Sequence, residues 1–122
     1  MTAGSFLKRD IEYLEIIIGF CDDVDSLVEI HGSDEEDFCV ISLQYSCIFS
    51  LIQIGEYVKR ISSETKNEYP DVDWKAASKM RDFVVHNYAD VNISNLRSTV
   101  LNDIPLFKKR CRIVLDDLLS NI

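Results

Sequence analysis

The chain holds little glycine and less proline: four and two among 122 residues. Glycine supplies the positive φ of tight turns and proline presets turn geometry, so their scarcity argues against a turn-rich sheet and for long helices. No apolar run approaches the roughly 20 residues that a membrane-spanning helix needs. The most apolar stretch, Ile16-Ile17-Ile18-Gly19-Phe20-Cys21, has acidic residues on both sides. Met1-Thr2-Ala3-Gly4-Ser5 leads straight into a mixed apolar and charged segment, without the pattern of a secretory leader. The expectation is a soluble cytoplasmic protein with no membrane partner.

Metal-binding spacing is lacking as well. Cys21, Cys39, Cys47 and Cys111 form no Cys-x-x-Cys pair, and no neighbouring histidine completes a zinc pattern. In a reducing compartment they read as free thiols that fill helix faces. Positive charge is short too, with 13 Lys and Arg against 21 Asp and Glu and a net charge of -8. Such a surface does not attract nucleic acid as a whole, so any contact with RNA needs a local basic patch. Two segments qualify: Lys75, Lys79 and Arg81, and then Lys108, Lys109, Arg110 and Arg112. The second reads as a solvated helix face.

Helical periodicity is abundant. Phe6, Ile11, Leu14, Ile17 or Ile18, Cys21, Val24 and Leu27 or Val28 predict a helix from Ser5 to about Ile30, with His31 suited to its negative end and Gly32 as its stop. Ser33 to Asp37 looks like the capped start of the next helix, an acidic solvated loop being the alternative. That helix runs through Ile41, Tyr45, Ile48 and Leu51 or Ile52 to Val58 and Ile61, with Gly55 inside it as a point of close packing. Ser62 to Pro70 is polar and reads as the main loop. Asp71 or Asp73 can cap a third helix beginning near Trp74, a core residue, and fraying near Asn87. Asn92 or Ser94 can cap a short fourth helix, and Pro105 sets the start of the last. With no repeat, no low-complexity tract and no composition break, residues 1–122 read as one all-α domain. The expected architecture is an up-and-down bundle of four main helices plus a short extra one.

The segment that carries chemistry is Met80-Arg81-Asp82-Phe83-Val84-Val85-His86-Asn87-Tyr88. Histidine titrates near neutral pH and serves as acid or base. Arginine is permanently charged and grips phosphate oxygens in a forked geometry. An Arg-x4-His pair alone is common, but here Ile54-Gly55-Glu56 and Pro70-Asp71-Val72-Asp73-Trp74 precede it, and Asp103-Ile104-Pro105-Leu106 follows. In this order the elements resemble the HepT-like branch of the HEPN superfamily, over roughly residues 5 to 120. Tyr57 departs from the pattern, where alanine is common in the family.

The resemblance implies a metal-independent endoribonuclease toxin of a type II toxin–antitoxin module, needing no cofactor. Arg81 and His86 would be its catalytic residues, with Asp82 and Asn87 in support. It implies a homodimer in which two Arg–His motifs meet in a cleft. It also implies a minimal nucleotidyltransferase antitoxin that transfers AMP from ATP onto Tyr88. The alternative is a non-catalytic subunit of such a nucleotidyltransferase complex, in which the same cluster binds nucleotide or partner. Helix geometry adds a constraint: five residues advance about 500°, so on an ideal helix Arg81 and His86 point about 140° apart, whereas Arg81 and Tyr88 share a face.

Overall fold

The computed structural model describes residues 3–79 and 92–122, and among these every regular element is helical. Helix α1 spans Ala3–His31 and α2 spans Ile41–Arg60. A short α3 covers Ser63–Glu68, and residues 74–79 are helical and labelled α4. Helix α5 spans Ile93–Ser98, and α6 spans Ile104–Ser120. The all-α bundle expected from the sequence is what the chain forms.

The core lies where α1, α2 and α6 meet. Leu14, Ile17, Cys21 and Val24 form the inner stripe of α1, packed with Leu43, Cys47, Leu51, Ile54 and Val58 of α2 and Cys111, Val114 and Leu118 of α6. Burying each aliphatic side chain of this kind contributes about 1.5–3 kcal/mol. Asp10 lies on the same stripe, one turn before Leu14, and is only 1% exposed. Its carboxylate accepts from the Ser62 backbone N–H at 3.0 Å, the Ser62 hydroxyl at 2.5 Å and the Thr65 hydroxyl at 2.5 Å. These bonds satisfy the buried charge and tie α1 to the start of α3.

Three local expectations need correction. Ser33 to Asp37 does not start the second helix. Gly32 ends α1 with φ +101 and its N–H bonded to the Val28 carbonyl at 2.8 Å. A separate 3-10 turn, Asp37–Cys39, follows, and α2 begins after Val40 with no side-chain cap. The acidic segment is spent on tertiary contacts instead. Ser94 donates to Glu35 at 2.8 Å, and Arg97 donates to the Ser33 carbonyl at 2.7 Å, clipping this loop to α5.

Second, the polar stretch 62–70 is not all loop. Ser62 caps α3 by accepting from the Thr65 N–H at 3.2 Å, and only Thr65 of that helix is buried. Third, Cys39 does not fill a helix face. It is exposed, while Cys21, Cys47 and Cys111 are buried as free thiols.

Other caps fall at residues named from the sequence. Asp73 accepts from the Ala76 N–H at 3.0 Å, and Asn92 accepts from the Asn95 N–H at 3.0 Å. Between α5 and α6 the chain makes a π-helical turn, Thr99–Asp103. Pro105 explains it: proline has no N–H to give the Leu101 carbonyl and its ring crowds that carbonyl, so the preceding turn opens. Gly55 is buried in α2, in keeping with close packing there. Among the described residues no helix is long and apolar enough to cross a membrane.

Candidate functional site

Arg81, Asp82, His86, Asn87 and Tyr88 all lie outside the described residues. So does the angular relation between Arg81 and His86. The surroundings that lead into the motif are described, and they bring together two of the flanking elements that the sequence singled out, Pro70 to Trp74 and Asp103 to Leu106.

Trp74, in the first turn of α4, is buried, and its ring meets Phe107 of α6 edge-on at 6.4 Å. The indole N–H donates to the Tyr69 carbonyl at 3.1 Å, which fixes the ring while satisfying its one polar atom. The Pro70-to-Trp74 stretch is thereby anchored on the helix that Pro105 opens. A recess of about 370 Å³ lies between the two, lined by Asp73, Ala76 and Ala77 from one side and Asp103, Leu106 and Arg110 from the other. Its apolar floor is Ile104 and Phe107. Thus the Asp103-Ile104-Pro105-Leu106 segment and the start of α4 form one wall and its opposite.

Charge around this recess is mixed. Lys75 and Lys79 are exposed on α4, so part of the first basic segment is available to solvent. The second segment is divided in use. Lys108 binds Asp22 at 2.6 Å and Asp25 at 2.9 Å, joining α6 to α1. Those two carboxylates raise the Lys108 ammonium above the ordinary lysine range, against a smaller opposing effect of burial. Arg110 turns the other way, lining the recess and the two adjoining hollows that run along Glu68 to Lys75. Sequence reasoning missed Arg110 as part of this wall. The available signal was its position four residues after Leu106 and three before Ile113 on one face of the last helix.

Two further groups are perturbed nearby. The Tyr69 hydroxyl donates to the Asp117 carboxylate, and burial together with that bond pushes the phenol above its ordinary range. Burial lowers Lys66, partly offset by the Asp10 carboxylate. Glu56 is half-buried on α2 and engaged by a neighbour. Tyr57, the departure from the family pattern, does not enter the core. Its ring lies 5.9 Å from Tyr13 and 6.4 Å from Phe20 on the outer side of α1 and α2, with the Arg60 guanidinium 4.6 Å above it. Among the described residues no cluster of three or more His, Cys, Asp or Glu is placed to hold a metal ion.

Comparison with known proteins gives a consistent picture. The profile described as "Ribonuclease HepT-like" matches residues 11–114. A protein of Methanocaldococcus jannaschii that carries an RNase name is 32% identical over 113 residues, 91% of this chain and 96% of that protein. One from Caldanaerobacter subterraneus, also named as an RNase, is 33% identical over 111 residues, 89% of this chain and 96% of its own length. A Thermococcus cleftensis protein that carries the name ribonuclease HepT is 38% identical over 74 residues, 60% of this chain and 67% of its own. No solved structure matches the chain.

Proposed function

The chain belongs to the ribonuclease HepT-like family, and from that premise we propose that it is a metal-independent endoribonuclease, the toxin of a type II toxin–antitoxin module. The observation that carries this reading is the intact Arg81-x4-His86-x-Tyr88 motif, inside the matched span and flanked by the family's other elements.

In the proposed reaction the RNA's own 2′-oxygen attacks the adjacent phosphorus. His86 takes the 2′-OH proton or delivers a proton to the departing 5′-oxygen. The new P–O bond closes a 2′,3′-cyclic phosphate as the P–O5′ bond breaks, leaving a 5′-hydroxyl. Arg81 stabilises the charge that builds on the phosphorane. One motif supplies one histidine, so a homodimer with two motifs facing one cleft supplies both an acid and a base. Asp82 and Asn87 support the pair. Lys75 and Lys79 supply local positive charge that the chain's overall balance of -8 does not.

Tyr88 is the control point in this reading. A minimal nucleotidyltransferase antitoxin joins its phenol oxygen to the α-phosphorus of ATP and releases pyrophosphate. The attached AMP adds bulk and a phosphate that competes with RNA for Arg81. The test is cleavage of RNA by the purified chain with chelator present. Wild type is expected to cut, and Arg81→Ala and His86→Ala to lose the activity; equal cleavage by all three would overturn the reading.

The acidic surface favours one second reading, a non-catalytic subunit that binds nucleotide or the nucleotidyltransferase through the same cluster. It predicts no cleavage by wild type and a stable complex that depends on Arg81.

A further inference from the structure

The recess between α4 and α6 is lined by charges that do not neutralise each other. Asp103 stands at the N-terminal boundary of α6, where an aspartate commonly accepts from a backbone N–H, yet its side chain makes no cap bond. Arg110 lines the same recess from two turns further along, about 10 Å up the helix axis. Among the described residues neither side chain has a hydrogen-bond or ion-pair partner. The third charge is already used: Asp73 Oδ1 accepts from the Ala76 N–H and so caps α4. One carboxylate and one guanidinium are thus presented to the recess without meeting.

The space between them has apolar sides. Ile104 and Phe107, both buried, form the floor, and Trp74 holds the Phe107 ring edge-on. Across from them α4 offers the methyl groups of Ala76 and Ala77. At about 370 Å³ the recess has the size of a small-ligand site. An aromatic floor opposite short side chains suits a planar group, and unpaired bases stack on such rings. Asp73 and Asp103 outnumber Arg110 in the lining, so a phosphate is not the group that belongs inside.

Hydrogen-bond chemistry selects the base. A carboxylate only accepts and a guanidinium only donates. The occupant therefore offers paired donors to the first and paired acceptors to the second. Of the four RNA bases guanine alone does both. Its N1–H and N2–H lie side by side, matching a carboxylate, and its O6 and N7 are the acceptor pair that arginine grips bidentately. Adenine and cytosine set their amino group beside a ring-nitrogen acceptor, and uracil flanks its one N–H with two carbonyls. Each would turn a lone pair toward Asp103.

We propose that this recess is a guanine subsite for the RNA substrate, in which Asp103 reads N1–H and N2–H, Arg110 reads O6 and N7, and the base stacks on Phe107. The proposal rests on the ribonuclease reading and names the nucleotide it prefers. Arg81 follows Ala77 by four residues, which span at most about 14 Å. A base bound here therefore lies within a few nucleotides of the phosphate assigned to Arg81. Lys75 is exposed and lines the adjoining hollow together with Arg110, where it meets the neighbouring phosphate.

The experiment is binding of the full chain to labelled 2′-O-methyl tetranucleotides, whose attacking hydroxyls are blocked so that they cannot be cut. Each carries a single test base in a run of uridines. Wild type is expected to bind the guanine probe about tenfold tighter than the adenine, cytosine or all-uridine probe. Inosine, which lacks the N2 amino group, and 7-deazaguanine, which lacks N7, are each expected to lose part of that preference. Asp103→Ala should no longer separate guanine from inosine, and Arg110→Met should no longer separate guanine from 7-deazaguanine, while each still senses the other change. Ala76→Leu, at an exposed position, fills the slot and is expected to bind all probes alike. Equal binding of every probe by wild type, binding of none, or variants that keep both distinctions overturns the proposal. Guanine preference in a chain that cuts no RNA would uphold the recess and strike the ribonuclease reading; RNA cutting without base preference in these probes would do the reverse.

Discussion

The Thr65 hydroxyl donates to Asp10 Oδ2 at 2.5 Å, joining two side chains that lie 55 positions apart in the sequence. With the two bonds from Ser62, it makes the Asp10 carboxylate the polar anchor of an otherwise apolar stripe on α1.

Removing that carboxylate leaves the Ser62 and Thr65 donors without their acceptor in a buried place. Asp10→Ala is expected to destabilise the fold by about 3 kcal/mol, the range for a lost charge-assisted buried network. Asp10→Asn keeps one acceptor oxygen and is expected to cost less. Urea denaturation of the two variants checks both the size and the order.

Gly32 is constrained from two directions. Its φ of +101 is unfavourable for any residue with a Cβ, and a Cβ there would run into the Asp37 carboxylate. That carboxylate already accepts from the Asp34 N–H at 2.9 Å. Gly32→Ala is therefore expected to cost about 1–2 kcal/mol for the backbone alone, and more if Asp37 is displaced. A thermal melt measures it, and an unchanged Tm would contradict this account of how α1 ends.

The cysteines differ in reactivity for a physical reason. Burial pushes the Cys47 thiol up to about 11 and the Cys21 thiol up to about 12, and raises Cys111 as well. The thiolate is the reactive form, so at neutral pH these three are expected to resist a thiol reagent until the chain unfolds. Exposed Cys39 is expected to react at once. The sign for stability follows from the same shifts. The folded state holds these protons more tightly than the unfolded one, so their contribution is complete below the ordinary thiol pKa of 9.0 and is lost as pH rises through about 11 and 12. Denaturation midpoints measured from pH 8 upward should fall, and fall less in Cys47→Ala.

Much of this fold is legible in the residues, because long helices with one buried stripe leave a strong period. Leu14, Ile17, Cys21 and Val24 announce α1, and Asp73 and Asn92 announce their caps. What was not legible has little period to show. Helix α3 is six residues with only Thr65 buried, so nothing in its spacing separates it from a loop. The acidic run at 33–37 has cap chemistry, but its partners Ser94 and Arg97 lie about 60 positions away in sequence. Asp10 did carry a signal, four residues before Leu14 on the buried stripe, yet one acid among many reads as surface. The motif from Arg81 to Tyr88 is legible as chemistry, through residue types and order. Arg110 was hidden because four basic residues within five positions look like one solvated face, whereas the structure turns Lys108 toward α1 and Arg110 toward α4.

The salt link of Lys108 gives a further check on that division. Lys108 is about one-third exposed and bridges two carboxylates, so Lys108→Met is expected to cost on the order of 1 kcal/mol after solvent screening. The loss should shrink in high salt. Arg110→Met makes no such link and is expected to leave stability nearly unchanged, as parallel melts at low and high salt will show.

The chemical identity of the RNA ends made by the purified chain tests the central claim most directly. Attack by the 2′-oxygen, with His86 handling protons and Arg81 holding the phosphorane, predicts 2′,3′-cyclic phosphate on one product and 5′-hydroxyl on the other, formed with chelator present and not by His86→Ala. Products that carry 5′-phosphate, or cyclic-phosphate ends formed as readily by His86→Ala as by wild type, would contradict it.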